Sequence, residues 1–128
     1  MNLELCYLTA RDAIRLFRSR ELSPVEPVTG IIERAEELEP AINAFADTYF
    51  DEALEQARAA ERRYRDDTAR PLEGIPVGVK DAQRIAGKRT TYGSLVLKDN
   101  VDSQSDPMIE RLQAAGAIIH ARTTTPEF

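Results

Sequence analysis

Apolar residues recur at helical spacing in two stretches near the start of the chain. After Thr9, a residue type that caps helix N-termini, the pattern predicts a first helix that runs to about Arg20. Ser23 and Pro24 form a stronger start signal, because a serine cap is followed by a proline at the first helical position. The predicted N-terminal helices span about residues 9–38, and the apolar face of the second one consists of Val25, Val28, Ile32, Ala35 and Leu38.

Proline and glycine residues limit this second helix. Pro27 lacks a backbone donor and Gly30 weakens the middle, so a helix with a disturbed first turn is expected. Pro40 is expected to end it, and the apolar and aromatic run at 42–49 then predicts a short strand. Residues 51–65 form the next predicted helix, whose inner face consists of Ala53, Leu54, Ala57 and Tyr64.

The second half of the chain has a strand, helix, strand pattern. Gly74, Pro76 and Gly78 break any helical periodicity, so residues 75–79 are interpreted as a short buried strand that delivers Lys80 at its C-terminal end. The other predicted segments are a loop at 82–100, a helix at 107–115 with Gly116 at its C-cap, and a strand at 117–121. Because this kind of connection favours parallel strands, the pattern predicts an α/β fold with a parallel pair.

Composition and charge narrow the range of partners. The 128 residues carry 22 acidic and 17 basic side chains, and the net charge of −5 argues against nucleic acid or an anionic membrane as the main partner. No apolar run approaches the roughly 20 residues that span a bilayer, and the N-terminus lacks the pattern of a secretory signal. The single cysteine, Cys6, is expected to pack without a chemical role. These features predict a soluble, cytoplasmic protein.

Lys80 is the main candidate for chemistry. A lysine in a dry site can lose its charge and act as a base, because burial disfavours the ammonium form. Two plainer interpretations stand beside this one: an ordinary lysine with its tip in water, and a local ion pair with Asp81. His120 lies within an apolar strand and is expected to be a packed histidine rather than a base. One histidine and one cysteine predict no usual zinc or iron site, and the glycine spacing matches no cofactor-binding fingerprint.

The segment that ends at Lys80 and Asp81 also carries a resemblance. Its sequence, Pro-Leu-Glu-Gly-Ile-Pro-Val-Gly-Val-Lys-Asp at 71–81, resembles the amidase signature family, whose members have a similar run. The likeness continues in order through residues 22–25, 43–45, 87, 90–94, 111–117 and 123–128. The Thr-Pro-Glu-Phe ending is more similar to the broad amidase branch than to the glutamyl-tRNA amidotransferase branch, which tends to have Met-Asp-Glu-Phe. Members are several hundred residues long, so residues 1–128 resemble the N-terminal segment of a single domain whose remainder is absent.

This resemblance implies helices packed on a mixed, partly parallel sheet, and hydrolysis of small carboxylic amides. The family's catalytic set is a nucleophilic serine, a second serine in a cis peptide, and a lysine that Lys80 matches by motif. Both serines lie downstream of the Pro-Glu-Phe motif in the family, so the isolated chain is expected to be inactive. There are departures as well. Residues 82–84 differ from the usual sequence after the lysine, and Arg122 and Thr124 stand where members usually have the lysine and asparagine of a Lys-Thr-Asn motif.

Two hypotheses about the chain remain open. It is the N-terminal segment of an amidase, or it is a non-catalytic truncated homologue that serves as an interaction module or as the partner of a second polypeptide. Without the rest of the domain, self-association is expected, because apolar strand residues would face water; these are Ile75, Val77, Val79, Ile118 and Ile119. The plainer alternative is that the helices at 51–65 and 107–115 cover the sheet and give a compact monomer.

Overall fold

Three helices precede the first of three strands, and two further helices separate the strands, in the computed structural model, which describes residues 3–128. The helices are α1 (Leu3–Cys6), α2 (Ala10–Ser19), α3 (Val25–Ile42), α4 (Phe50–Arg65) and α5 (Pro107–Ala114). The strands are β1 (Phe45–Thr48), β2 (Pro76–Lys80) and β3 (Ile118–Thr123), and a single 3₁₀ turn covers Leu95–Leu97. The short helix α1 was not predicted from the sequence. No helix within residues 3–128 is long and apolar enough to cross a membrane.

The strands form one mixed sheet in the order β1-β3-β2. β2 and β3 are parallel, with Lys80 opposite Thr123, whereas β1 and β3 are antiparallel, with Phe45 opposite Thr123. The predicted parallel pair and the α/β fold class are therefore confirmed. The last of the three strands is the central one, so its side chains meet both layers of covering structure.

Apolar side chains fill both sides of this sheet. On one side, Ile118 packs with residues of α3 and α4, namely Val28, Ile32, Ala53 and Ala57. On the other side, Ile119 packs with Val79, Ile85 and Ile109, which belong to β2, the following loop and α5. A third cluster joins α2 and α4 to the entry of β2 and consists of Ala13, Phe17, Tyr64 and Ile75. The helices thus cover the sheet faces from both sides.

This coverage corrects the expectation that the strands expose apolar faces. Ile75, Val79, Ile118 and Ile119 are all at least nine-tenths buried, and Val77 is partly buried. α4 and α5 lie against the sheet as the plainer alternative required. The large apolar side chains that are most exposed lie elsewhere, at Leu95, Val96, Phe128 and Tyr7.

The predicted start signals of α2 and α3 are present as hydrogen bonds, although α3 begins at Val25, one residue after the proline that was expected at its first position. The Thr9 hydroxyl accepts from the backbone N–H of Asp12 at 3.1 Å. At α3, the Ser23 hydroxyl accepts from the N–H of Val25 at 3.2 Å, and the Glu26 carboxylate accepts from the N–H of Ser23 at 2.8 Å. This reciprocal pair satisfies donors that the first turn of a helix leaves free.

The end of α3 differs from the prediction. Pro40 does not end the helix, which continues to Ile42, and the predicted strand at 42–49 is reduced to Phe45–Thr48. Asn43 closes the helix in the left-handed region, with φ 49°, and donates to the Glu39 carbonyl. The Glu39 carboxylate then accepts from the N–H groups of Ala44 and Phe45 at 3.1 and 3.0 Å. The helix end is therefore set by Glu39 and Asn43 rather than by the proline.

Candidate active site

Lys80 is the last residue of β2 and its side chain is exposed. The Nζ atom makes no hydrogen bond or ion pair with any residue in the described range 3–128. Of the two plainer interpretations, the exposed side chain fits a lysine with its tip in water, and the alternative of a local ion pair with Asp81 is wrong. Only the backbone of Lys80 is held in place, by its pairing with Thr123 of the central strand.

Asp81 bonds to the loop after β2 and not to Lys80. It is 2% exposed, and its carboxylate accepts from the Thr91 N–H at 2.9 Å and from the Thr91 hydroxyl. Its carbonyl also accepts from the N–H of Tyr92 at 3.0 Å. Asp81 thus fixes the hydroxyl-rich loop 90–94 beside the C-terminal end of β2, because a buried carboxylate requires such donors.

The same loop is bound to the last residues of the chain. The Ser94 hydroxyl donates to the Glu127 carboxylate at 2.7 Å, and the Phe128 N–H donates to the Tyr92 carbonyl at 2.8 Å. Gly93 has φ +70°, and a Cβ there would lie 2.5 Å from the Thr125 carbonyl oxygen. Three segments that carry the sequence resemblance, 71–81, 90–94 and 123–128, therefore meet at one end of the sheet.

Arg122 is the largest fully buried side chain at this end, with 0% exposure. Its guanidinium donates to the carbonyls of Lys80 at 3.3 Å and Arg89 at 2.9 Å, and also to the Gln83 carbonyl and the Thr90 hydroxyl. Sequence reasoning marked Arg122 only as a departure from the family's lysine. Its burial could not be inferred, since arginine is rarely buried and the bonded carbonyls belong to a loop.

A β-bulge explains how Arg122 reaches this loop. The pairing of β2 with β3 slips between Val77, opposite Ile119, and Gly78, opposite Ala121, which leaves His120 as the extra residue. Residues three apart on a regular strand point to opposite faces. The bulge supplies a one-residue shift, so Ile119 and Arg122 both face the segment that follows β2.

His120 is a packed histidine, as predicted. It is 7% exposed, and its ring lies edge-on to Phe45 with the ring centroids 5.8 Å apart. Burial lowers the pKa of His120, because the charged imidazolium would lose its water. Its Nδ1 atom has no hydrogen-bond partner in the described part of the chain.

Tyr49, like His120, has a shifted pKa and lies near this end of the sheet. Burial raises the pKa of Tyr49, although the nearby Arg122 charge opposes that shift. Lys88 Nζ lies 4.4 Å from the centre of the Tyr49 ring and pairs with Glu52. These contacts join α4 to the loop after β2.

A shallow cavity of about 300 Å³ lies beside the hydroxyl-rich loop. Asp81, Thr91, Ser94 and Thr125 contribute to its walls, whereas Lys80 does not. Residues 3–128 bring together no group of three or more His, Cys, Asp or Glu side chains that could hold a metal ion. This end of the sheet carries an exposed lysine and several hydroxyl groups, but within the same range no serine hydroxyl contacts Lys80.

Comparison with known proteins gives consistent matches. A family model described as Amidase matches residues 26–128. The A-type subunit of the glutamyl-tRNA(Gln) amidotransferase of Carboxydothermus hydrogenoformans is 32% identical over 127 residues, which cover 98% of this chain and 26% of that protein. The chain therefore spans about a quarter of the length of the curated relatives it matches.

Solved structures agree in fold. A fatty acid amide hydrolase superposes with a TM-score of 0.89 at 25% identity, covering 97% of this chain and 22% of that one. The native peptide amidase of Stenotrophomonas maltophilia has a TM-score of 0.83 at 27% identity, covering 92% of this chain and 25% of that one. Because both amidotransferase subunits and amidases match, the predicted preference for the broad amidase branch stays a prediction.

Proposed function

This chain belongs to the amidase family, and from that membership we propose that it is the N-terminal segment of a single domain that hydrolyses carboxylic amides. The match covers residues 26–128, and the fold agrees with that of amidases over more than nine-tenths of the chain. The chain spans about a quarter of its curated relatives, so the remaining parts of the active site belong to the rest of the domain.

Lys80 is the residue to which we assign the chemistry, as the base of a serine–serine–lysine set. A serine hydroxyl is a poor nucleophile until a base removes its proton, and a neutral lysine can do this through a bridging serine. The observation that carries the assignment is the position of Lys80 at the C-terminal end of β2, with a side chain that no residue in 3–128 engages. The ends of parallel strands are where α/β folds place their ligands.

The substrate class that fits this assignment is a small molecule with a carboxylic amide. A nucleic acid substrate does not fit, because binding its phosphates requires a basic surface and the chain has a net charge of −5. A cytoplasmic location, inferred from the sequence, stays part of the proposal, and cell fractionation with an antibody against this chain would test it.

The test of the proposal is the variant Lys80→Ala in a protein that carries the complete domain. We expect kcat to fall about 10²–10⁴-fold with a much smaller change in KM, because a general base acts in the transition state. Arg58→Ala is the matched control, since Arg58 is an exposed cation on α4 on a part of the chain remote from β2. The 128-residue chain alone should show no amide or ester hydrolysis above background, because no serine hydroxyl within residues 3–128 engages Lys80.

The contrary outcomes are equally defined. A Lys80→Ala enzyme with near-normal kcat would show that the motif match misassigns the base. Turnover by the 128-residue chain that Lys80→Ala abolishes would overturn the proposed need for the rest of the domain. A stop codon directly after Phe128 would support the alternative of a non-catalytic interaction module. The exposed Leu95 and Val96 would then be its contact residues.

A further inference from the structure

A buried positive charge lies directly beneath the strand end that presents Lys80. The Arg122 guanidinium has no exposed surface and no carboxylate within 4.0 Å in the described part of the chain. Taking a guanidinium out of water is strongly unfavourable unless the protein supplies acceptors for its N–H donors. Because this burial is unfavourable, the hydrogen bonds of the Arg122 guanidinium indicate its structural role.

The hydrogen bonds of Arg122 converge on the backbone around Lys80. Nη1 donates to the Lys80 carbonyl at 3.3 Å and to the Gln83 carbonyl, three residues later. Nε and Nη2 donate to the Arg89 carbonyl at 3.3 and 2.9 Å, which ties the returning loop to the same guanidinium. Only a planar fork with several donors can serve carbonyls in these different directions.

The charge of Arg122 is balanced through a hydroxyl rather than by a direct ion pair. Nη2 donates to the Thr90 hydroxyl, which in turn donates to the Asp102 carboxylate. Asn100 completes this group through bonds to the Thr90 carbonyl at 2.9 Å and to Asp102 at 3.4 Å. The network leaves the guanidinium free to direct its other donors to the backbone carbonyls.

We propose that Arg122 is a positioning residue, which fixes the backbone that follows the Cα of Lys80 and so sets the direction in which the lysine leaves the sheet. This inference rests on the proposed function of Lys80. The geometry favours positioning because the Asp81 N–H also donates to the carbonyl of Thr123, next to Arg122, at 2.9 Å. The peptide group between Lys80 and Asp81 is thus held at both its carbonyl and its N–H by neighbouring residues of the central strand, while the Lys80 side chain has no partner within residues 3–128.

The 128-residue chain allows a test that needs no catalysis. We would compare Arg122→Met, Arg122→Lys and the control Arg70→Met by hydrogen exchange and by carbonyl ¹³C chemical shifts. Arg70 is a suitable control because it also loses a hydrogen-bonded guanidinium, from the buried Glu73 carboxylate at the other end of β2.

In Arg122→Met, exchange at the amides of Asp81, Gln83 and Tyr92 should accelerate about 10–100-fold more than exchange within α4. The carbonyl shifts of Lys80 and Arg89 should move in the same variant. Arg122→Lys should show a smaller change at the same sites, since an ammonium cannot reach all the carbonyls. Arg70→Met should leave these three amides no faster than the rest of the chain.

Acceleration that is uniform along the chain in Arg122→Met, as in a general loss of stability, would overturn the proposal. Unchanged exchange at the three amides would overturn it as well. If Arg122→Met does not fold, Arg122→Lys decides the question by the same local comparison. Because none of these readouts depends on amide hydrolysis, failure of the Lys80→Ala test would leave them unaffected, and the two failures can be told apart.

Discussion

At the scale of single residues, His120 shows how a side chain with no proposed chemical role still makes the protein sensitive to pH. It is the only histidine, it lies in the central strand, and burial lowers its pKa. The unfolded chain, with an imidazole of ordinary pKa near 6.5, binds a proton at a pH where the folded protein does not. Protonation therefore favours the unfolded state.

We predict that the free energy of unfolding falls as the pH is lowered from about 7.5 through 6.5 toward the depressed pKa of the folded state. The loss is about 1.4 kcal/mol for each unit that separates the two pKa values. Urea unfolding at several pH values between 5 and 8 measures it. In His120→Gln the slope in this range should disappear, whereas an unchanged slope would show that carboxyl groups such as Glu73 cause the effect.

The residues of the candidate site differ in how far the sequence could predict them. Lys80 follows a short apolar run bounded by glycine and proline, a local pattern that places it at a strand end. Arg122 gave no such signal, because its burial depends on carbonyls 33–42 positions away in the chain. The same holds for Asp81, whose partner Thr91 comes from the returning loop. Local patterns therefore predict the helix or strand that carries a residue, but they do not predict which loop residues will bond to it.

At the scale of elements, the start signals are where local sequence and structure agree best. The cap of α3 depends on side chains within four residues of one another, so no tertiary contact is needed to specify it. The end of the same helix was misjudged. Proline lacks a donor and is disfavoured inside a helix, but at Pro40 only the last turn is affected. The Glu39 carboxylate accepts hydrogen bonds from residues after the helix, and no sequence pattern predicts that role for a glutamate at this position.

We predict that Ser23→Ala lowers the free energy of unfolding by about 0.5–2 kcal/mol, because the first turn of α3 loses its side-chain acceptor for the Val25 N–H. Ser19→Ala is the matched control, since the exposed Ser19 hydroxyl only donates back to the Leu16 carbonyl. The control should change stability by less than about 0.5 kcal/mol. Thermal or urea unfolding measures both, and equal losses in the two variants would contradict a capping role for Ser23.

At the scale of the whole molecule, association remains a prediction, although the expected cause has changed. The sheet faces are covered, so we expect the contacts to come from the exposed Leu95, Val96 and Phe128 or from the outer edges of β1 and β2, which no strand within residues 3–128 pairs. Exposed apolar groups and open strand edges both recruit other chains.

We expect the sedimentation coefficient of the 128-residue chain to rise with concentration. A Leu95→Ser, Val96→Ser double variant should reduce the rise if the apolar turn is responsible, whereas Tyr7→Ser, at another exposed apolar residue, should leave it unchanged. A monomer at every concentration would show that α4 and α5 give this segment a self-sufficient surface.

The sheet order also has a consequence for how the protein is made. The central strand, β3, is the last of the three to leave the ribosome. Until it has been synthesised, neither β1 nor β2 has the neighbour with which it pairs in the sheet. About 70 residues separate the end of β1 from the start of β3, which corresponds to roughly 4–14 s of translation at 5–20 residues per second. Until then only helices can form, and nascent chains arrested before Ile118 should show helical signals without sheet protection. We therefore expect the nascent chain to be prone to aggregation in the interval before the central strand emerges.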